Sequence, residues 1–466
     1  MIRNKKVFWV VIANLLTLLS AIVLNIFVPK FFTIHDYAQY KTYTLYAGYV
    51  GVFHLGMING IYLVYGGLDY LELPFAKFRQ YSYSLMIFQL AICTVGVTIG
   101  VVLQGVNWIM SPLFFVIVNI LPINIRTYFS SIDQFGREFK RDSILQITFN
   151  ASLLIFSIIS LCWFNANYIG YFIGITIINY VIMLIYACQN KDLVIGKYSR
   201  PLFTISDVEK LIKRGFFVMV SELMGMVILS IDSLLISFLG TETEFSMYSF
   251  SVSVIAVEFS LISVISNLIF PYLKRTDEKQ YKNSYSLLKY VILVGALVIA
   301  ILNFAVCLIV DWILPEYTAS NNITLLLAPS VLIRGVIILV QSNFFKLLNC
   351  ERKLFINNLI FATIGGILDV IAWHYTQNIQ MVAVATVLTY FCWYVFSDLQ
   401  INRALLNGLC NWREWLLVLV CILVEYITLL ISDKMVGLSI YLLIVVIFAW
   451  TMSYRIKALI IEWKNR

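Results

Sequence analysis

Long apolar runs separated by short polar segments extend along the whole chain. A helix that crosses the hydrocarbon core of a bilayer needs about 20 mostly apolar residues. Membrane β-barrels show short segments of alternating polarity instead. The pattern predicts an all-α, polytopic membrane protein with about 14 transmembrane helices, at residues 7–28, 43–64, 82–103, 108–129, 143–163, 168–188, 215–239, 247–271, 287–310, 322–344, 357–375, 380–398, 414–431 and 437–454.

The predicted spans group into two bundles of six and one additional pair. The longest internal polar stretch, 191–214, is interpreted as a cytoplasmic linker. It separates an N-terminal six-helix bundle, 1–190, from a C-terminal six-helix bundle, 215–400. Residues 401–466 supply an extra helix pair and a cytoplasmic tail.

The second bundle repeats features of the first at an offset of 208 residues. Asp36-Tyr37-Ala38-Gln39-Tyr40 is matched by Glu244-Phe245-Ser246-Met247-Tyr248, and each copy lies between two apolar runs. Both repeats begin on the same side of the membrane, so the bundles are predicted to be parallel, pseudo-symmetric copies. That architecture places a substrate site near the bilayer midplane, between the halves.

The distribution of basic residues predicts the orientation. With the N-terminus inside, 28 of the 33 Lys and Arg residues fall in inside segments, three fall outside, and two, Arg126 and Arg334, lie within spans. Cytoplasmic loops carry such an excess of positive charge, so both termini are expected in the cytoplasm. The net charge of +8 is then explained by orientation and by anionic membrane lipids, without a nucleic-acid partner.

Composition agrees with a membrane protein and excludes several chemistries. Hydrophobic residues make up 61% of the chain, charged residues 12%, and the mean hydropathy is +0.88. The eight cysteines form no CxxC pair and the three histidines no HExxH motif, so no metal site is predicted. The sequence contains no phosphate-binding loop of the ATPase type, so no cofactor is expected. The energy for transport would then come from a source other than ATP, such as coupling to H⁺ or Na⁺.

Three sequence motifs resemble the multidrug/oligosaccharidyl-lipid/polysaccharide exporter superfamily, and within it the O-antigen and capsule repeat-unit flippases. The first is the doubled turn, at Thr33–Tyr40 and Leu239–Tyr248. The second, Leu55–Gly67, is similar to the family's Leu-Gly-x-x-Asp-Gly…Tyr-Gly-Gly stretch, with Asn59 in place of the usual Asp. The third is Asp232-Ser233, where many members have Asp-Arg.

The resemblance implies a non-enzymatic carrier in the bacterial inner membrane. It would move an undecaprenyl diphosphate-linked oligosaccharide to the outer leaflet by alternating access, for surface polysaccharide assembly. Its partners would be this lipid-linked oligosaccharide, the surrounding lipids, and a polysaccharide polymerase with its chain-length machinery.

Two arginines within spans are candidates for binding the diphosphate. Arg334 lies near the middle of span ten, five residues after Pro329, which is expected to kink the helix. A guanidinium can bond two phosphate oxygens at once; a structural ion pair with Asp369 or Glu258 is the alternative. Arg126, near the inner end of span four, could receive the diphosphate or extend to the interface.

Four acidic residues within spans are candidates for coupling. Glu222 and Asp232 lie in span seven, Glu258 in span eight and Asp369 in span eleven. Carboxylates are costly in a membrane and often functional. These could exchange a proton or bind a cation, or they could pair with an arginine or bond between helices.

Amides and aromatic rings supply candidate sugar contacts. Asn14 and Asn25 are eleven residues apart and therefore share one side of span one. They could bond sugar hydroxyls or neighbouring helices. Tyr62 and Tyr65, near the inner end of span two, could stack on sugar rings or anchor at the interface.

Two other functions remain as alternatives. A cation-coupled drug exporter of the same fold would favour carboxylates over arginines in its cavity. A membrane-embedded polysaccharide polymerase or glycosyltransferase normally displays a sizeable outer loop, and the predicted outer loops are short.

Overall fold

The computed structural model describes the chain as helices joined by short turns, with no strand among the described residues. Parts of the predicted segments lie outside this description: residues 197–204 of the linker, 264–271 of span eight, residue 430 of span thirteen, and residues 407–411, 432–433 and 465–466 of the C-terminal region. The described residues are 2–164, 167–196, 205–263, 273, 280–406, 412–429, 431 and 434–464.

The chain divides into two compact units, Met1–Met226 and Val227–Arg466. The helices of the first unit are α1 (Ile2–Phe31), α2 (Ile34–Ala47), α3 (Met57–Tyr65), α4 (Phe75–Gln104), α5 (Pro112–Phe135), α6 (Phe139–Trp163), α7 (Tyr168–Gln189) and α8 (Ile205–Ile228), which extends just past the boundary. The second unit contains α9 (Ile231–Leu239), α10 (Glu242–Ser263), α11 (Tyr281–Ile299), α12 (Ile301–Ile313), α13 (Ser320–Leu327), α14 (Pro329–Gly335), α15 (Ser342–Leu347), α16 (Glu351–Thr376), α17 (Ile379–Leu406), α18 (Trp412–Leu429) and α19 (Lys434–Lys464). A π-helical segment, Val336–Gln341, joins α14 to α15.

The helices confirm a multi-pass, all-α membrane protein. Within the described residues, ten helices are long and apolar enough to cross a bilayer, or up to twelve if each of two bent helix pairs is counted as one span. The two remaining predicted spans coincide with α10 and α18. The count of fourteen therefore stays a prediction.

The doubled turn of the sequence is a doubled helix cap. Thr33 Oγ1 accepts a hydrogen bond from the Asp36 amide at 3.1 Å and donates to Asp36 Oδ2 at 2.7 Å. At the matching positions, Thr241 Oγ1 accepts from the Glu244 amide at 3.3 Å and donates to Glu244 Oε2 at 2.8 Å. Each cap satisfies amide groups that the first helical turn leaves unpaired, so the repeat marks where α2 and α10 begin.

The second predicted span is broken between α2 and α3, which are bent by 57°. Leu55 and Gly56 have left-handed backbone conformations, with φ of 50° and 81°. The imidazole of His54 accepts a hydrogen bond from the Gly56 amide at 3.0 Å. This buried histidine therefore stabilises the break.

Glycines let α3 cross α8 with the two backbones in contact. A Cβ atom on Gly60 would lie 2.0 Å from the carbonyl oxygen of Leu211, and one on Gly215 would lie 2.0 Å from that of Gly56. Such separations are impossible for any residue with a side chain. The glycine-rich stretch thus specifies a close helix crossing within the first unit.

Several buried charges are held in ion pairs. Asp133 in α5 pairs with Arg141 in α6. In the second unit, Lys289 of α11 is 2.8 Å from Asp398 of α17 and also bonds Glu414 of α18. Because each charge has a partner of opposite sign, the Coulomb attraction within each cluster offsets much of the desolvation cost of burying the charges.

Replacing Gly60 or Gly215 by Ala is expected to separate α3 from α8. The expected cost is about 1–3 kcal/mol of unfolding free energy, typical of overpacking. Thermal unfolding of the purified protein in detergent measures it. Gly67→Ala is the control, because a Cβ atom there meets nothing within 4 Å; equal midpoints for Gly215→Ala and Gly67→Ala would contradict the close crossing.

Candidate functional site

Arg334 occupies an interrupted helix of the second unit. Pro329 begins α14, and the π-helical segment begins two residues after Arg334. Proline removes a backbone donor, and π-helical turns are often found at functional sites. The predicted break at Pro329 is therefore accompanied by a second irregularity on the other side of the arginine.

The Arg334 guanidinium is buried without an ion pair. Its side chain is 9% exposed, and the guanidinium lies over the rings of Phe259 and Tyr390, at 4.9 and 5.9 Å. Among the described residues no carboxylate lies within salt-bridge distance, and Nε has no hydrogen-bond partner. This arginine keeps a buried N–H group free to donate.

Asp232 shares a small cavity with Arg334. The cavity measures about 10 Å³ and is lined also by Ser330, Thr386 and Tyr390. Such a volume admits about one water molecule or a small ion. Asp232 accepts hydrogen bonds of 2.6 Å from the hydroxyl of Tyr248 and from the Ser233 amide, so its carboxylate is fixed in place.

Asp369 is connected to this cavity through Thr386. Thr386 Oγ1 lies within hydrogen-bond distance of Asp369 Oδ1, at 3.4 Å. Asp369 is fully buried, and its Oδ2 has no hydrogen-bond partner among the described residues. The structure thus brings together three residues that the sequence singled out separately, Asp232, Arg334 and Asp369.

The other two acidic candidates lie elsewhere. Glu222 is exposed on α8, in the first unit, where its Oε2 accepts a hydrogen bond from Asn59 Nδ2 at 3.1 Å. Glu258 is buried in α10 and bonds Asn303 rather than Arg334. The four acids therefore do not form one site.

Arg126 is the arginine of the first unit, in α5. Its guanidinium stacks over Phe149 at 4.0 Å and donates to Asn179 Oδ1 at 3.4 Å. In the described part of the chain it has no carboxylate within salt-bridge distance. Arg126 and Arg334 thus share one environment, an aromatic ring and no ion pair.

A further cation lies near the predicted amides. Lys41 is buried in α2, over the rings of Tyr37 and Tyr40, and its Nζ lies 3.5 Å from Asn25 Oδ1. Lys41 is one of the three basic residues that the sequence predicts to lie outside the membrane. The only feature of the sequence that could have indicated a role for Lys41 is its position in the polar, tyrosine-rich stretch between two apolar runs.

The remaining candidates are accessible. Asn14 is exposed on α1, and Asn25 is half-buried. Tyr62 is 54% exposed, whereas the hydroxyl of Tyr65 bonds that of Tyr81 at 3.3 Å. Of this group, Asn14 and Tyr62 present the freest polar and aromatic surfaces.

The fold is shared with known membrane transporters. The lipid II flippase MurJ in an inward-closed conformation matches with a TM-score of 0.70 and 14% identity, covering 97% of this chain and 99% of that chain. This likeness shows that the chain has the fold of that flippase structure. No family model and no curated protein sequence matches the chain.

Two more distant structures also match. One is MATE in complex with Br-NRF, with a TM-score of 0.39 and 11% identity over 84% of this chain and 96% of that chain. The other is a MOP superfamily transporter from Pyrococcus furiosus, with a TM-score of 0.42 and 11% identity over 85% and 93% of the two chains.

Tyr248→Phe is expected to leave Asp232 Oδ2 buried without its donor. Loss of a hydrogen bond to a buried charged group costs about 1–3 kcal/mol. Thermal unfolding should therefore shift to lower temperature. Tyr375→Phe is the control because Tyr375 is 81% exposed; a Tyr248→Phe midpoint no lower than that of the control would contradict the role of the Tyr248 hydroxyl.

Proposed function

We propose that the protein translocates a lipid diphosphate-linked oligosaccharide, with undecaprenol as the lipid, across the bacterial inner membrane by alternating access. The observation that supports this proposal is the absence of a salt-bridge partner, among the described residues, for each of the two arginines within spans. Among the described residues, neither Arg126 in the first unit nor Arg334 in the second has a carboxylate within salt-bridge distance.

Cations within membrane spans that form no salt bridge with the described residues are suited to an anionic ligand. Charged residues in spans are costly, rare and commonly mark a substrate pathway. A guanidinium is suited to phosphate oxygens because its planar N–H groups can bond two oxygens at once. A diphosphate would compensate both the charge and the free Nε donor of Arg334.

The fold supports the same substrate class. The matching MurJ structure is that of a lipid II flippase, and it aligns with nearly the whole chain. Both that protein and the proposed function combine a membrane-spanning fold with a lipid-linked substrate.

Polar groups of the first unit are proposed to contact the sugars. Asn14 and Asn25 could bond hydroxyl groups through their amides, and Tyr62 and Tyr65 could stack on sugar rings. Lys41, beside Asn25, adds positive charge to that part of the unit. The neutral amides would bind the sugars, and the positively charged side chains would bind the phosphates.

Asp232 and Asp369 are proposed as the coupling residues. They are joined through Thr386 around a cavity that admits only a small ion. Binding of H⁺ or Na⁺ there would change the charge facing Arg334. Glu222 and Glu258 remain further coupling candidates.

The topology completes the proposal. Both termini lie in the cytoplasm, as the basic residues indicate. Membrane lipids surround the protein, and a polysaccharide polymerase with its chain-length machinery would receive the product.

Arg334→Ala should abolish transport while the protein remains folded. In cells that lack the protein, surface polysaccharide should be lost and lipid-linked repeat units should accumulate in the inner leaflet. Wild-type protein and the Arg352→Ala control should restore polysaccharide, because Arg352 is exposed. Arg334→Ala should reduce surface polysaccharide at least tenfold, because the variant loses about 1.5–3 kcal/mol of charge-assisted hydrogen bonding to the substrate.

Two outcomes would contradict the proposal. Normal polysaccharide with Arg334→Ala would remove the arginine from the substrate site. Normal polysaccharide in cells without the protein, combined with sensitivity to cationic drugs, would favour the drug-exporter alternative.

A further inference from the structure

A proline in α5 creates a hydrogen-bonded contact with α7 in the first unit. Pro122 lies inside α5 and has no amide hydrogen, so the carbonyl of Val118, four residues earlier, loses its helical partner. The hydroxyl of Tyr180 on α7 donates to this carbonyl at 3.1 Å. This contact holds Asn179, the residue before Tyr180, against α5.

A series of side-chain hydrogen bonds runs from this contact to Arg126. Asn119 Nδ2 donates to Thr176 Oγ1 at 2.8 Å. Asn179 Nδ2 donates to Asn119 Oδ1 at 2.9 Å, and Asn179 Oδ1 accepts from Arg126 Nη1 at 3.4 Å. Asn119 and Asn179 are 0% and 4% exposed, so water does not compete for their amides. We call these two residues the amide relay.

The amide relay has a single hydrogen-bond direction. Asn119 Nδ2 also donates to the backbone carbonyl of Phe115 at 2.8 Å, and a carbonyl can only accept. The Asn119 amide therefore has its nitrogen towards Phe115 and its oxygen towards Asn179. Asn179 must then donate through Nδ2, which leaves its own oxygen facing the Arg126 guanidinium. A backbone carbonyl thus determines which atom Arg126 meets.

The acceptor that faces Arg126 is neutral. A carboxylate at this place would form an ion pair and cancel the guanidinium charge. An amide oxygen holds the guanidinium and leaves its charge uncompensated. Within the described part of the chain Arg126 forms no ion pair. Its side chain is half-buried, so part of it remains accessible to a ligand.

We propose that Asn119 and Asn179 are positioning residues for the lipid diphosphate. The amide relay orients the Arg126 guanidinium and preserves its charge for the phosphate oxygens. The amides act through Arg126 and do not themselves contact the substrate. This inference rests on the proposed function, in which Arg126 binds the diphosphate.

The preference for a diphosphate over an alcohol tests the amide relay. Titrations followed by native mass spectrometry give the dissociation constants of the purified protein for undecaprenyl diphosphate and for undecaprenol. Asn119→Leu removes the group that orients Asn179, so diphosphate binding should weaken about fivefold, the usual effect of one hydrogen bond. Binding of undecaprenol, which has no phosphate, should not change.

Asn179→Asp tests whether the neutral charge of the acceptor matters. The variant keeps an oxygen beside Arg126 but makes it negative. Diphosphate binding should weaken about tenfold, because the carboxylate pairs with the guanidinium and repels the phosphate groups. If Asn179 only held α7 against α5, its replacement would lower the unfolding midpoint and affect the two lipids equally.

Asn124→Leu is the matched control for Asn119→Leu. Asn124 is also in α5 and 0% exposed. It donates to the Val50 carbonyl at 3.2 Å and to Gln89 Oε1 at 2.8 Å, outside the amide relay. Its replacement should lower the thermal midpoint as that of Asn119 does, and should preserve the preference for diphosphate. An equal loss of preference in both variants would overturn the relay.

Arg126→Gln separates failure of the amide relay from failure of the proposed function. If this variant loses the preference for diphosphate while Asn119→Leu and Asn179→Asp keep it, the relay is wrong and the proposed function stands. If wild-type protein shows no preference, or Arg126→Gln retains it, the proposed role of Arg126 fails and the relay fails with it. If Asn119→Leu does not fold, Asn179→Asp decides, because aspartate and asparagine have nearly the same shape.

Discussion

The cost of charge in hydrocarbon determines how the ionisable residues of this protein are arranged. A bilayer offers no water to a buried ion, so each charge needs a partner, a proton or a ligand. Asp133 with Arg141, and Lys289 with Asp398 and Glu414, satisfy this requirement within the protein. These charges lie in ion pairs, and the pairs connect helices of a single unit.

The charges that lack such partners are the ones with an inferred function. Arg126 and Arg334 lie against aromatic rings and form no ion pair within the described part of the chain, which suits an anionic substrate. Asp369 keeps a buried oxygen, Oδ2, that has no donor among the described residues, which suits a cation. One physical requirement thus separates structural charges from candidate ligand-binding charges, and it assigns opposite ligands to the two groups.

The sequence predicted the elements that depend on local pattern. Apolar runs identified the membrane-crossing helices, and the 208-residue offset identified Thr33–Asp36 and Thr241–Glu244, which are matching helix caps. The breaks near Gly56 and Ser230 were not predicted, because both lie inside apolar runs that read as continuous helices. Lys41 was missed for a different reason: its neighbour Asn25 lies on another helix, and spacing along one helix does not reveal such a contact.

The central claim is that Arg126 and Arg334, which form no ion pair with the described residues, each contribute to binding of a lipid diphosphate. Native mass spectrometry of the purified protein with undecaprenyl diphosphate and with undecaprenol tests it most directly. The account predicts binding of the diphosphate in preference to the alcohol, weakened at least tenfold in Arg126→Gln/Arg334→Gln. Equal retention of the two lipids, or diphosphate binding that the double variant leaves unchanged, would contradict it.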